Sequence, residues 1–295
     1  MRILLMLLLL FGVTLLSCTS NPFSDDEISA PPQTVKGRVT LAADDSPAGA
    51  FIWLEEFNIS TRTDDEGRFS LTLPRPAAQG TGSSISGVFS LYAYIANYKL
   101  AVRDMVVREG QFVFSPNELN TDGELAQEIQ LSRLLTIHTD VVAVPFDSDP
   151  SSFLLRVAVT LQSPGATVPV YYPRAAGGVG SPVYMRNLQS HEVSIIATTI
   201  AGIARDSLEV DSMAQTRQMV ALLSCADFPA GRYEIIPYLL VVNPEVPRQL
   251  IQSIAADAEM LGLTYLELPF ARQGGLVEIK ESVVCRDDGS PSSRQ

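Results

Sequence analysis

Few residues in this chain of 295 could carry out covalent or metal chemistry. Its only cysteines and histidines are Cys18, Cys225, Cys285, His138 and His191. A serine–histidine triad would need a Gly-x-Ser-x-Gly elbow, which the sequence lacks, and five thiol and imidazole groups leave few ligands for a transition metal. Both histidines lie in or beside strand patterns, so we expect them on the surface or at a sheet edge. We therefore predict a protein that is not an enzyme and uses no cofactor or metal.

Cys18 ends an apolar segment with the features of a secretory signal. Arg2 precedes an apolar run at residues 3–16, shorter than the roughly 20 residues that span a bilayer. Residues 15–18, Leu-Leu-Ser-Cys, resemble the bacterial lipobox, in which cleavage leaves a lipidated cysteine at the new N-terminus. Residues 1–17 are thus predicted to be a lipoprotein signal peptide, and Cys18 to carry fatty acids such as palmitate. An ordinary signal peptide or an N-terminal anchor helix is the alternative.

This segment predicts a location in the cell envelope, held by the lipid. Two or more acyl chains anchor stably, whereas the net charge of −12 gives no attraction to anionic lipid. Thr19 follows the cysteine where an aspartate would resemble an inner-membrane retention signal, so we expect the outer membrane if the cell has one. Residues 18–33 are polar and predict a flexible tether.

Cys225 and Cys285 remain once Cys18 is used by the lipid. An exported chain meets an oxidising environment, so we predict a disulfide between them. It would close a loop of about 60 residues and contribute about 4 kcal/mol in the chain-entropy description. Two buried free thiols are the alternative.

Two acidic segments could bind calcium or could form turns. Residues 64–67 are Asp-Asp-Glu-Gly, and residues 147–149 are Asp-Ser-Asp. Carboxylates are calcium ligands, but the EF-hand spacing is missing. Aspartate side chains also bond nearby backbone N–H groups, and glycine supplies a positive φ. We therefore predict turns, with Gly67 at a positive φ.

An aromatic pair beside an arginine is the candidate binding surface. Tyr171, Tyr172 and Arg174 precede a glycine-rich loop at 175–181. Tyrosine and arginine are favoured at protein interfaces, and flat aromatic rings also contact sugars. The alternative is a strand end before a hairpin loop, with one tyrosine buried.

Residues 34–132 show the alternation of short strands. Val35, Gly37, Val39 and Leu41 alternate with polar residues, which is the period of a strand. Further short strands are predicted at 50–54, 59–63, 68–73, 88–95, 101–107 and 128–131. Hydrophobic residues make up 46% of the chain and charged residues 18%, which excludes disorder through excess charge. Because no basic stripe occurs, we expect no nucleic-acid partner.

Three segments of this half resemble the carboxypeptidase regulatory-like family. They are residues 35–41 (Val-Lys-Gly-Arg-Val-Thr-Leu), residues 47–54 and residues 61–71, which contain Thr-Asp-x-x-Gly-x-Phe. Residues 96–98 resemble the family's Gly-Tyr corner, with Asn97 in place of glycine. The resemblance covers about a third of the chain. It implies a transthyretin-like β-sandwich with a non-catalytic, accessory role; some relatives bind carbohydrate.

Residues 133–286 predict a second β-rich domain, by default an immunoglobulin-like sandwich. An apolar stripe predicts one helix near 247–261, strands are predicted at 263–270 and 276–279, and the apolar run 218–224 predicts a central strand. Residues 287–295 are predicted to be a disordered tail.

Together these features predict a mainly β protein of two sandwich domains in tandem. The predicted function is that of a non-enzymatic, membrane-anchored envelope lipoprotein with a structural, adhesive or partner-binding role. The alternative is a carbohydrate-binding surface lipoprotein. The expected partners are the membrane, through the lipid, and an envelope protein or a glycan.

Overall fold

A computed structural model of the protein describes residues 33–42, 45–75, 85–115, 117–175, 182–197 and 200–280. These ranges contain nineteen β-strands and one α-helix. The predicted mainly β, sandwich-type fold is confirmed. Each sheet takes all its strands from one side of residue 132.

The first half packs a three-stranded sheet against a five-stranded sheet. Their strand orders are β4-β1-β8 and β3-β2-β5-β6-β7. Buried side chains from both sheets, including Val35, Val39, Leu54 and Leu91, form one core. The strands are β1 (Thr34–Leu41), β2 (Phe51–Leu54), β3 (Ile59–Arg62), β4 (Arg68–Thr72), β5 (Gly87–Tyr94), β6 (Ala101–Arg108), β7 (Gln111–Phe112) and β8 (Ile129–Leu131).

The second half contains three sheets. Their orders are β15-β10-β9-β18, β14-β11-β17 and β13-β12-β16-β19. The strands are β9 (Thr136–Pro145), β10 (Ser152–Gln162), β11 (Val168–Ala175), β12 (Val183–Asn187), β13 (Val193–Ile196), β14 (Ile200–Val210), β15 (Gln215–Ser224), β16 (Gly231–Pro237), β17 (Leu240–Val241), β18 (Gln273–Gly274) and β19 (Leu276–Ile279).

A shared corner explains why this half has three sheets where an immunoglobulin-like sandwich has two. The β10–β15 pair ends at Leu161 opposite Gln215, and the β11–β14 pair begins at Val168 opposite Val210. Between them the Ser163 amide donates to the Asp211 carbonyl at 2.8 Å. Strands β10 and β11 on one side and strands β14 and β15 on the other therefore form one long two-stranded ribbon. At this corner both sides of the ribbon pass from one sheet into another. The immunoglobulin-like assignment stays a prediction.

The helix α1 (Arg248–Ala255) is shorter than the predicted helix near 247–261. Pro247 is its N-cap, and after Ala255 the chain forms turns, with the Ala258 amide donating to the Ala255 carbonyl. The prediction of a strand at 263–270 is wrong, because a 3₁₀ helix occupies Leu263–Glu267. A short apolar run does not distinguish a strand from a helical turn.

The helix joins the two halves. Strand β2 is buried on both faces, with Ile52 and Leu54 in the first core and Phe51 and Trp53 on the opposite face. That opposite face packs against Leu250 of α1. Residues about 200 positions apart thereby share one apolar cluster.

Candidate functional site

The two tyrosines of the predicted binding surface do not share one face of their sheet. Tyr171 and Tyr172 are neighbours on β11, so their side chains point to opposite faces of the sheet. Tyr171 is exposed, whereas Tyr172 packs against the apolar cluster that contains Val170. The side chain of Arg174 lies outside the described residues. The expected surface of Tyr171, Tyr172 and Arg174 is therefore corrected, because strand geometry separates the two tyrosines.

Tyr172 also lines a narrow apolar cavity between the sheets. The cavity holds about 20 Å³, and its other lining residues include Val157, Leu208 and Leu239. This volume is about that of one water molecule, so it does not form a ligand pocket.

The two histidines occupy separate positions at the surface, as the sequence predicted. His138 is half-exposed on β9, where its Nε2 lies 3.1 Å from Asp140 Oδ1. His191 is exposed in a turn at φ +60°. In the part of the chain that the structure describes, no three His, Cys, Asp or Glu side chains gather as metal ligands.

The predicted turn at Asp64 is confirmed. Its Oδ1 accepts the amides of Glu66 and Arg68 at 3.1 and 2.7 Å, and Gly67 has φ +78°. A Cβ at Gly67 would lie 2.2 Å from the Val39 carbonyl oxygen, so no other residue fits without a shift.

Asp149 closes the other predicted turn. Its carboxylate accepts hydrogen bonds from the hydroxyls of Ser151 and Ser152, both at 2.6 Å. These bonds stabilise the charged form and hold the pKa of Asp149 below its ordinary value.

A buried ion pair lies where the halves meet. Asp45 Oδ2 accepts hydrogen bonds from the Tyr98 hydroxyl, at 2.5 Å, and from the Arg133 guanidinium. Gln273 donates to the other oxygen of Asp45 at 3.3 Å. Burial, and then the bond to Asp45, raises the pKa of Tyr98 to about 12. These partners satisfy one another, so the cluster holds the junction together.

A groove of about 690 Å³, which we call the charged-rim groove, lies in the first half and is lined by both charged and apolar side chains. Arg38 and Glu128 form an ion pair at its wall, 3.3 Å apart, and Lys36, Arg68 and Glu124 also line it. Gly37 and Phe69 also line the groove, and a Cβ at Gly37 would lie 2.7 Å from the Phe69 ring, so a larger residue there would force the ring to shift. Charged side chains of both signs can donate and accept hydrogen bonds, which suits a polar, uncharged ligand.

The outward side of the sheet β15-β10-β9 carries exposed apolar side chains. Val142, Val220 and Leu222 are 54%, 45% and 55% exposed. The strand register places Leu222 beside Leu154, and Leu154 beside Val144 on β9. One row along, Val220 and Val142 flank Arg156. We call these six residues the outer face: Val142, Val144, Leu154, Arg156, Val220 and Leu222.

The outer face was not among the predicted sites. The run 218–224 was expected to be a central strand, but among the described strands β15 lies at the edge of its sheet, which differs from that prediction. Its burial alternates, and Val220 and Leu222 are on the exposed side. The apolar run 218–224 was the feature of the sequence that could have revealed the outer face. A half-buried strand ordinarily carries polar residues on its exposed side, so apolar residues on both sides leave some of them exposed.

The predicted lipid site and one cysteine of the predicted disulfide are near the ends of the chain. Residues 1–32, including Cys18, and residues 281–295, including Cys285, lie outside the described residues. Cys225 is half-buried and packs in the same cluster as Ile279, which is near the last described residue. Within the described ranges, no helix has the length and apolarity needed to cross a bilayer.

Compared with known proteins, the chain matches no protein-family model and no curated protein sequence.

Proposed function

We propose that the protein is a membrane-anchored envelope lipoprotein without enzymatic activity, whose outer face binds a protein partner. The single observation that carries the binding role is the outer face itself. Apolar groups in contact with water favour burial against another surface, and a contiguous exposed patch of them marks an interaction site.

Arg156 is the one charged residue of the outer face. It stands between Val142 and Val220, with Asp140 and Ala158 in neighbouring outward positions. Arginine combines a charged head with an apolar stem and is enriched at protein interfaces. A partner with an apolar strip and a carboxylate would complement this arrangement.

The anchoring role rests on residues 1–33. The lipobox-like sequence before Cys18 and the polar tether after it support export and lipidation. The resemblance of residues 34–132 to the carboxypeptidase regulatory-like family supports an accessory role. The predicted bond between Cys225 and Cys285 fits an oxidising compartment.

Site-specific photo-crosslinking in cells tests the binding role. A photoreactive amino acid at Leu222 should give a discrete adduct with one partner. The same group at Met213, which is also exposed but lies outside the outer face, should not. Adding Val142→Asp should abolish the Leu222 adduct while leaving the thermal unfolding of the chain nearly unchanged. Equal crosslinking from both positions would contradict the proposal.

A second candidate function, carbohydrate binding, is favoured by the charged-rim groove, because its lining combines hydrogen-bonding side chains with apolar surface. The test is a glycan array with wild-type protein and the double variant Arg38→Ala/Glu128→Ala. Sugar binding that disappears in this variant would support this function over the first. Binding that persists in the variant, or is absent from the wild type, would reject it.

A further inference from the structure

Strand β15 presents an open edge along its whole length. It pairs with β10 in ten consecutive positions, from Ser152 opposite Ser224 to Leu161 opposite Gln215, without a register shift. In the described part of the chain no strand pairs with its other side. A straight edge of this kind is a template for another strand.

The hydrogen-bond pattern shows which backbone groups face the open edge. The Cys225 amide donates to the Ser151 carbonyl at 2.8 Å, so these two residues form a hydrogen-bonded pair. In an antiparallel ladder such pairs recur at every second residue. The odd-numbered residues of β15 therefore bond to β10. The even-numbered residues Thr216, Gln218, Val220 and Leu222 direct their N–H and C=O groups outward.

The edge has few of the features that keep edge strands from pairing. Proteins commonly protect such edges with proline, lysine, inward charges or a bulge. Strand β15 contains no proline or lysine and pairs with β10 without a bulge, but its one charged residue, Arg217, is an inward charge on the same side as the buried Met219. The even positions carry no charge, although the whole chain has a net charge of −12.

We infer that β15 pairs with β15 of a second copy of this chain, antiparallel and centred on Val220. In that register Val220 faces Val220 of the other copy, Gln218 faces Leu222, and Thr216 faces Ser224. Arg217 lies opposite Leu223, so no like charges meet. The strand is self-complementary over its full length, and the two-fold axis closes both open edges.

This pairing goes beyond the proposed binding role, because it uses the open edge of β15 and leaves the outer face exposed. Val220 of the two copies would face each other, and Leu222 of each copy would lie diagonally across from Val220 of the other, extending the apolar surface across one continuous sheet. The segment 281–295 is a poorer occupant of the edge. After Cys285 it is polar and contains Gly289 and Pro291, which disfavour a strand.

Sedimentation of the full chain, solubilised in detergent, measures the association. We expect a monomer–dimer equilibrium at micromolar protein. Val220→Lys sets two ammonium groups opposite each other, and it should raise the dimer Kd at least about tenfold. Met213→Lys adds the same charge beyond the strand and should leave the Kd unchanged. Circular dichroism and thermal unfolding check that both variants fold.

A register test keeps the inference falsifiable if Val220→Lys fails to fold. Val220→Cys should form a disulfide-linked dimer on mild oxidation, because facing residues in the proposed pair have Cα atoms about 5.5 Å apart. Met213→Cys should not. A chain that is monomeric at all concentrations, or a dimer insensitive to Val220→Lys, would overturn the inference.

The outcomes separate this inference from the proposed function. A monomeric chain whose Leu222 photo-adduct contains a different protein would keep the proposed function and reject the homodimer. A chain that dimerises only after deletion of residues 286–295 would show that its own C-terminal segment covers the edge, which also rejects the pairing. A dimeric chain whose Leu222 adduct has twice the mass of one copy, and keeps that adduct when Val142→Asp is added, supports the pairing and leaves the outer face without a partner, which rejects the proposed function.

Discussion

Asn97 and Ala271 exchange two hydrogen bonds across 174 positions of sequence. Asn97 Nδ2 donates to the Ala271 carbonyl at 2.8 Å, and the Ala271 amide donates to Asn97 Oδ1 at 3.0 Å. The same Nδ2 donates to the Leu135 carbonyl at 2.9 Å. The side chain thus takes the place of a peptide group and connects the first half of the chain to the second.

Replacing Asn97 should destabilise the protein more than an ordinary polar substitution. Asn97→Ala leaves buried backbone groups of Ala271 and Leu135 without partners, which costs about 1–3 kcal/mol in the free energy of unfolding. Urea unfolding followed by the fluorescence of Trp53, the single tryptophan, measures the loss. Gln130→Ala, on the exposed side of β8, is the matched control and should change the free energy of unfolding little. Equal losses in the two variants would contradict this role of Asn97.

Gly49 and Gly67 have similar φ angles but different surroundings. Comparing an alanine substitution at each separates the cost of a positive φ from the cost of a steric clash. Gly67 and Gly49 have φ of +78° and +75°, but a Cβ at Gly67 would contact the Val39 carbonyl, whereas one at Gly49 meets nothing within 4 Å. Gly49→Ala should cost about 1 kcal/mol. Gly67→Ala should cost clearly more, about 2–4 kcal/mol, because the strand must also shift. Thermal unfolding compares them, and equal costs would show that the contact at Val39 is harmless.

Stability should fall at high pH, partly through Tyr98. Its pKa is raised from 10.0 to about 12 in the folded protein. The folded state therefore holds the proton more tightly than the unfolded state, and this stabilisation is lost as the pH rises from about 10 to 12. Tyr98→Phe should flatten the fall of the unfolding free energy in this window, although it lowers stability at neutral pH by removing the bond to Asp45. A Tyr98→Phe slope equal to that of the wild type would contradict this assignment.

A disulfide between Cys225 and Cys285 is expected in protein taken from the envelope. Cys225 and Ile279 share one apolar cluster, and the six residues from Ile279 to Cys285 extend to about 20 Å, so the chain can reach back to Cys225. Unfolding without reductant should leave both thiols resistant to alkylation, and reduction should expose both. Alkylation of both cysteines in the unreduced sample would show that they are free thiols.

The sequence predicted local structure well and distant contacts poorly. Alternation at residues 35–41 and short apolar segments elsewhere located seven of the eight strands of the first half and missed β7, and the turn chemistry of Asp64 and Gly67 followed from residues close in sequence. The apolar residues of β2 indicated a strand, but nothing local indicated that Leu250 would cover its second face. Asn97 was visible only as the residue that replaces a glycine in the segment compared with the carboxypeptidase regulatory-like family, yet its partner Ala271 comes from the distant second half.

The candidate site was missed for a related reason. An apolar run on β15 predicts burial, and whether a strand is central or at an edge depends on pairing between distant segments. Likewise, the adjacent tyrosines on β11 suggested a surface only until strand geometry placed them on opposite faces.

The most direct test of the lipoprotein account is the fate of Cys18 in cells. Wild-type protein should fractionate with membranes and incorporate labelled fatty acid, and its mature mass should begin at Cys18 with acyl groups attached. Cys18→Ala should lose the label and the membrane association, whereas Ser20→Ala, in the predicted tether, should keep both. Wild-type protein that is soluble in the periplasm or medium, or that never takes up the label, would contradict the account.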